Sequence, residues 1–254
     1  MQKAHVADGW RGSTELERDP IFENHLAFLG AHRGRLKSGR AWVGLDGKAG
    51  FLSFLAPLSD AAEVPADCST LWTYPWSGRG WPERLPELGF APADRMSYMQ
   101  QARPQQPRTA DNHAIGIVSG DAEAREFAAV QSRAFLTEEL PARDWWVACF
   151  EEMALRNYAE PHQTLYMACV GGDPAAVLLS MRTGAVTGVY AVATAPEYRM
   201  LGLSTALLGR ATDEAIARGA GTIVLQAIVG QYAEGFYARA SFERRYLCQV
   251  WRRP

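Results

Sequence analysis

The stretch APEYRMLGLSTALL, Ala195 to Leu208, decides how this chain is read. A proline-bounded strand end meets Arg199, Gly202 follows three residues later, and an amphipathic helix begins. A strand that feeds a helix N-terminus presents unpaired backbone N–H groups and about half a positive charge from the helix dipole, which suits an anion such as a pyrophosphate. Gly202 lets that group approach where any Cβ would collide. Ser204 and Thr205 are small and carry hydroxyl donors, and Arg199 supplies a cation or braces the loop. Taken alone, Gly202 is equally a kink or packing glycine. The segment Gly202 to Ala206 also imitates a G-x-S-x-G elbow with Ser204 as nucleophile. Such an elbow needs a strand running directly into the serine. Here Pro196 intervenes, and no histidine follows Ser204 anywhere in the chain.

Around this stretch the pattern is regular. IGIV is a short strand, and the segment after it has Asp121 as helix N-cap with Phe127, Val130 and Phe135 at helical spacing. A second helix spans about 142–157. Three β-rich runs between Thr164 and Thr194 are punctuated by Gly171-Gly172-Asp173 and Thr183-Gly184, as hairpins are. The helix after Gly202 turns Leu203, Leu207, Leu208, Ala211 and Ala215 to one side and Arg210, Asp213, Glu214 and Arg218 to the other, with Gly219 as its C′ residue. TIVLQAI is a buried-type strand, QYAEGFYARA a short helix and FERRYLCQVWRR a final strand.

Arg-x-x-Gly at a strand-to-helix junction, in the order βααβββαβαβ, resembles the GCN5-related N-acetyltransferase (GNAT) superfamily, whose signature is Gln/Arg-x-x-Gly-x-Gly/Ala. Here it reads Arg199-Met200-Leu201-Gly202-Leu203-Ser204, with serine at the last position. VATAPEYR resembles the family's fourth strand and its exit, and FYARASF its late LYERLGF segment. The resemblance covers residues 113–254. It implies an α+β fold with a mixed, mostly antiparallel central sheet flanked by helices, and direct transfer of an acetyl group from acetyl-CoA to an amine, without a metal. It further implies that backbone groups of Val192, Ala193 and Thr194 pair with the pantetheine arm. Arg199 and the amides of Met200, Leu201, Gly202, Leu203, Ser204 and Thr205 would hold the pyrophosphate, and Tyr237 would be the general acid for the departing thiolate. Gly230 stands where the family often has an asparagine, seven residues before that tyrosine. A core position is the plain alternative for Tyr237, which lies at helical spacing from Ala233 and Phe236.

The acceptor poses a separate demand. An amine with pKa near 10.4 is deprotonated about one part in a thousand at pH 7.4, a penalty of roughly 4 kcal/mol. The fourth strand of the motif region, TGVYAVAT, holds no carboxylate, so Glu138 and Glu139 in the loop between the first two helices are the candidates, together with a water chain. A small molecule or a peptide amine would serve as acceptor. A non-catalytic module that binds acyl-CoA or a protein through the same fold is the competing class.

The N-terminal part is expected to be a smaller α+β domain, 1–104, joined to 113–254 by the polar, proline-containing segment Gln100 to Ala114. It begins with a helix capped by Asp19 with Pro20 at its first position, followed by a strand pair turning at Asp46-Gly47. ERLPELGFAPADRMSYMQ parallels YARASFERRYLCQVW, with Leu88-Gly89-Phe90 against Ala240-Ser241-Phe242. The first half therefore reads as a degenerate second GNAT-like copy, a tandem arrangement, or as an unrelated domain sharing one helix-to-strand turn. It has no counterpart of the Arg199–Ser204 stretch. The aromatic run Leu71 to Trp81 offers a wall for the acceptor site, a homodimer interface or loop packing.

Composition sets the outer limits. Of 254 residues 48% are hydrophobic, enough for two ordinary cores, and 26 Lys and Arg face 28 Asp and Glu, so no basic field suggests nucleic acid or membrane as partner. The four cysteines and five histidines show no metal-ligand spacing. The first twenty residues carry charges throughout and no apolar run. A cytoplasmic protein with reduced thiols is the expectation.

Overall fold

The structure is a computed structural model and describes residues 19–101 and 114–253. They form two compact units, the first from residues 19–98, 227–234 and 244–253 and the second from 99–226 and 235–243. The end of the chain thus joins the first unit, a departure from the contiguous halves the sequence suggests. Of the expected linker, Gln100 and Gln101 end one strand and Ala114 begins another, while residues 102–113 lie outside the described residues. The charged first twenty residues likewise fall almost wholly outside them.

In the first unit, α1 (Pro20–His32) starts as expected: Asp19 Oδ1 accepts from the Ile21 and Phe22 amides at 2.9 and 3.0 Å. Strands β1 (Gly34–Gly39) and β2 (Trp42–Gly47) then form a hairpin around Arg40 and left-handed Ala41. The expected turn at Asp46-Gly47 is not there. Both residues stay in the ladder opposite Arg35 and Gly34, the Asp46 carboxylate pairs with Lys37 at 3.0 Å, and a short 3-10 turn leads on to β3 (Phe54–Pro57). Strand β3 is antiparallel to β2 and parallel to β4 (Thr70–Thr73). Helix α2 (Trp81–Glu87) and β5 (Ala91–Gln101) follow, and the chain's last strand, β11 (Phe242–Arg252), lies antiparallel to β4, giving the order β1-β2-β3-β4-β11-β5. The core gathers Leu55, Leu71, Trp81, Leu85, Phe90 and Trp251. The aromatic run packs into this unit: Leu71, Tyr74 and Trp81 are buried, and the Tyr74 hydroxyl meets that of Tyr98 at 2.7 Å, which in turn meets His25 Nδ1 at 2.6 Å. Burial lowers the His25 pKa to about 3 and so keeps the ring neutral.

The second unit contains β6 (Ala114–Ile117), α3 (Asp121–Phe135), α4 (Arg143–Asn157), β7 (Gln163–Val170), β8 (Asp173–Thr183), β9 (Val186–Thr194), α5 (Leu203–Ala217) and most of β10 (Thr222–Ile228) and of α6 (Tyr232–Arg239). Its strand order is β10-β9-β8-β7-β6, antiparallel except between β9 and β10. This is the mixed, mostly antiparallel α+β sheet expected. The hairpins turn where the glycines predicted, with Val170 opposite Asp173 and Thr183 opposite Val186. Helix α3 differs at its start: Gly120 is the cap residue and Asp121 lies in the first turn, because Glu123 reaches back to accept from the Ser119 amide at 2.6 Å. The four cysteines, all among the described residues, form no disulfide, and no described helix is long and apolar enough to cross a membrane.

Burial raises the phenol pKa values of Tyr74, Tyr190, Tyr237 and Tyr246 and pushes Tyr166 up to about 12. Unfolded phenols titrate near 10. Between that value and the raised folded ones the unfolded chain holds fewer protons, so stability that is fully present below pH 10 falls as pH rises. The urea midpoint is expected to drop steadily above pH 10. A midpoint unchanged to pH 11.5 would mean that these phenols are already open to solvent.

Candidate functional site

Strand β9 has a different neighbour on each side. Against β8 its register runs from Thr183 opposite Val186 to Leu179 opposite Tyr190, then resumes with Val177 opposite Ala193. Two residues, Ala191 and Val192, therefore face Leu178 alone, and Ala191 is left-handed with φ 53°. An extra residue of this kind bends a strand and leaves a backbone group out of the ladder. On the other side the pairing with β10 runs from Val186 opposite Thr222 to Gly188 opposite Val224, and the described register goes no further. Val192, Ala193 and Thr194 thus lie on the stretch of β9 past its last pair with β10.

The chain leaves β9 by a short 3-10 turn, Pro196–Tyr198, and reaches α5 through two left-handed residues, Met200 at φ 66° and Gly202 at φ 78°. Gly202 is the cap residue of α5 and has no side chain to cap it. The first intrahelical bond is from the Ala206 amide to the Gly202 carbonyl, so the amides of Leu203, Ser204 and Thr205 belong to the orphan donors of a helix start. The glycine is accounted for twice: the left-handed backbone favours it, and an uncapped helix start is left open. Ser204 Oγ lies 2.7 Å from Thr194 Oγ1, joining the first turn of α5 to the end of β9. This contact explains a small hydroxyl residue where the family signature ends in glycine or alanine.

The remaining candidates divide. Arg199 is exposed and reaches the carbonyls of Thr194 and Ala134, both at 3.5 Å. Glu197, two residues earlier in the same loop, holds Arg133 at 2.7 Å. Met200 and Leu201 are exposed and Leu203 is buried. Tyr237, on α6, is 8% exposed and makes ring contacts with Phe236 and Phe242 at 5.2 and 6.1 Å. Burial is the whole cause of its raised pKa. Glu138 and Glu139 are exposed in the α3–α4 connection. Gly230 is left-handed at φ 78°, in a turn whose amide donates to Glu234 at 2.8 Å, so an asparagine equivalent is replaced by a backbone that favours glycine. Sequence reading missed Ala191 and Arg133, because neither a bulge within Ala-Val-Ala nor one arginine on a polar helix face carries a local signal.

A bulged strand parting from its parallel neighbour, followed by an uncapped helix start, defines an acetyltransferase fold of the GNAT type. Residues 96–234, more than half of the chain, match the Acetyltransferase (GNAT) domain, and the chain belongs to this family. Among solved structures it is similar to a GCN5-related N-acetyltransferase from Kribbella flavida (18% identity, TM-score 0.66, covering 92% of this chain and 94% of that one). It is also similar to a conserved protein of unknown function from Staphylococcus epidermidis (10% identity, TM-score 0.62, 86% and 93%). A third is a GCN5-related N-acetyltransferase from Sphaerobacter thermophilus (18% identity, TM-score 0.53, 75% and 62%). At these identities the likeness is one of fold. No curated protein matches the chain.

Proposed function

We propose that the protein transfers an acetyl group from acetyl-CoA directly to an amine. The observation that carries this is the uncapped first turn of α5, entered through left-handed Gly202 and tied to the end of β9 by Ser204 and Thr194. The pyrophosphate would be held by Arg199 and the amides from Met200 to Thr205. The pantetheine arm would pair with Val192, Ala193 and Thr194 on the stretch of β9 beyond its pairing with β10. The amine nitrogen attacks the thioester carbonyl, the C–N bond forms, the C–S bond breaks, and the departing thiolate takes the proton of Tyr237, whose phenolate regains one from the solvent that accepted the amine's. Rate comes mainly from holding the thioester beside the nucleophile. With Glu138 and Glu139 exposed, the amine gives up its proton to solvent rather than to a buried base.

The first unit reads best as a degenerate second copy. Its β1-β2-β3-β4 run is antiparallel, antiparallel, then parallel, the same sequence of pairings as β7-β8-β9-β10. The repeated helix-to-strand turn has Gly89 at φ 81° and Ser241 at φ 65°, the same left-handed step at equivalent positions. The exit of β3 is filled from within. Ser77 Oγ donates to the Pro57 carbonyl at 2.6 Å, Trp81 Nε1 to Ser59 at 3.1 Å, and the Asp60 carboxylate accepts from Gly80 at 3.1 Å. A carboxylate at this position repels phosphate.

A second reading, a binding module without turnover, is favoured by the exposure of both candidate bases. Incubation with acetyl-CoA and a pool of primary amines, amino acids and N-terminal peptides, with free thiol as readout, separates the two. Thiol release that depends on the amine is expected. Binding without release from any pool would leave the module reading in its place.

A further inference from the structure

We infer that Arg133, rather than the motif arginine Arg199, is the positioning residue of the loop that receives the cofactor's pyrophosphate. This inference rests on the acetyl-CoA reading above. The loop between Thr194 and Leu203 contains a non-glycine left-handed residue, Met200, which is 93% exposed and so buries almost nothing in return. A backbone in that region persists only where its surroundings hold it. Arg199 holds it weakly, since its two contacts of 3.5 Å to the Thr194 and Ala134 carbonyls are at the limit of hydrogen bonding.

Arg133 makes much closer contacts. From the last turn of α3 its Nη1 donates to Glu197 Oε1 at 2.7 Å, and its Nη2 donates to the Pro174 carbonyl, also at 2.7 Å. Glu197 lies in the 3-10 turn that starts the loop, and Pro174 lies at the beginning of β8, the strand paired with β9. One planar guanidinium thus pins the loop to the start of β8 through both arms of its fork, a geometry that lysine's single point charge does not reproduce. An isolated exposed ion pair contributes little to stability. This one acts on the placement of a short loop instead. With the loop pinned, the α5 amides need no rearrangement to meet an anion, and cofactor affinity gains from that preorganisation.

The test is calorimetric titration with acetyl-CoA of the wild type, Arg133→Ala, Arg133→Lys, Glu197→Gln and the swap Arg133→Glu/Glu197→Arg, with steady-state rates alongside. Arg133→Ala and Glu197→Gln are expected to weaken binding by about 5- to 30-fold, the range of one or two charge-assisted contacts, and to raise KM for acetyl-CoA in step. Turnover at saturating cofactor should stay within about twofold, because the loop touches no reacting atom. Lysine and the swap should each recover part of the loss. If Arg133→Ala does not fold, Glu197→Gln carries the test, since it keeps shape and removes only charge. A wild type that binds while these variants bind within twofold of it overturns the positioning role alone. A wild type that binds no acetyl-CoA overturns the cofactor reading and this role with it.

Discussion

Gly202→Trp is expected to abolish the response of the protein to acetyl-CoA. At a hundred times Kd the ligand should stabilise the wild type by about 2.7 kcal/mol, roughly 5 to 10 °C in Tm for a chain of this size. Gly202 sits at φ 78° as the cap residue of α5. Any side chain there meets two obstacles: the left-handed backbone costs an L-residue about 1–2 kcal/mol, and Cβ stands where the phosphate would approach. Gly202→Asn separates them, because asparagine tolerates the left-handed region and retains only the steric block. Both variants should unfold cooperatively and neither should shift with ligand. Calorimetry should give one acetyl-CoA per wild-type chain, since the β3 exit in the first unit is filled and holds Asp60. An unshifted wild type would reduce Gly202 to a conformational glycine and end the transferase reading.

What could be read in the sequence was local. Helix α5 ends as predicted because Gly219 supplies the left-handed step: its amide donates to Ile216 and the Ala220 amide to Ala215, the 5→2 and 6→1 bonds of a Schellman end. Asp19 and Pro20 open α1 for a similarly local reason. The β1–β2 hairpin was hidden because Arg40-Ala41 lacks turn residues, and Ala41 takes the left-handed conformation without advertising it. Asp46-Gly47, which does advertise a turn, is held in the ladder by cross-strand pairing instead. Strand β4 is four residues within an aromatic run, and it becomes a strand through neighbours far away in sequence, with Thr73 opposite Gln249. The site divides in the same manner. Gly202 and its helix were legible, whereas the Arg133–Glu197 contact spans 64 residues and no motif encodes it.

Tyr237→Phe tests the chemistry itself. The ring would keep its contacts with Phe236 and Phe242, so packing should change little, and only the hydroxyl is lost. Burial raises the phenol's pKa above 10, so the proton stays on through the whole working range, while the departing thiol has a pKa near 8.5. A proton held this tightly would be shared with a thiolate late in C–S cleavage rather than released in advance. Loss of that donor should lower kcat by about ten-fold to a few hundred-fold and leave the acetyl-CoA Kd within about twofold. The pH profile follows from the same arrangement. With the amine deprotonated by solvent, kcat/KM should climb about tenfold per pH unit toward the amine's own pKa. The raised Tyr237 pKa means that no descending limb should appear below about pH 10. Tyr237→Phe should shift this profile downward without changing its shape. A variant that turns over within twofold of the wild type would make Tyr237 a core residue, and the thiolate would then leave protonated by solvent alone.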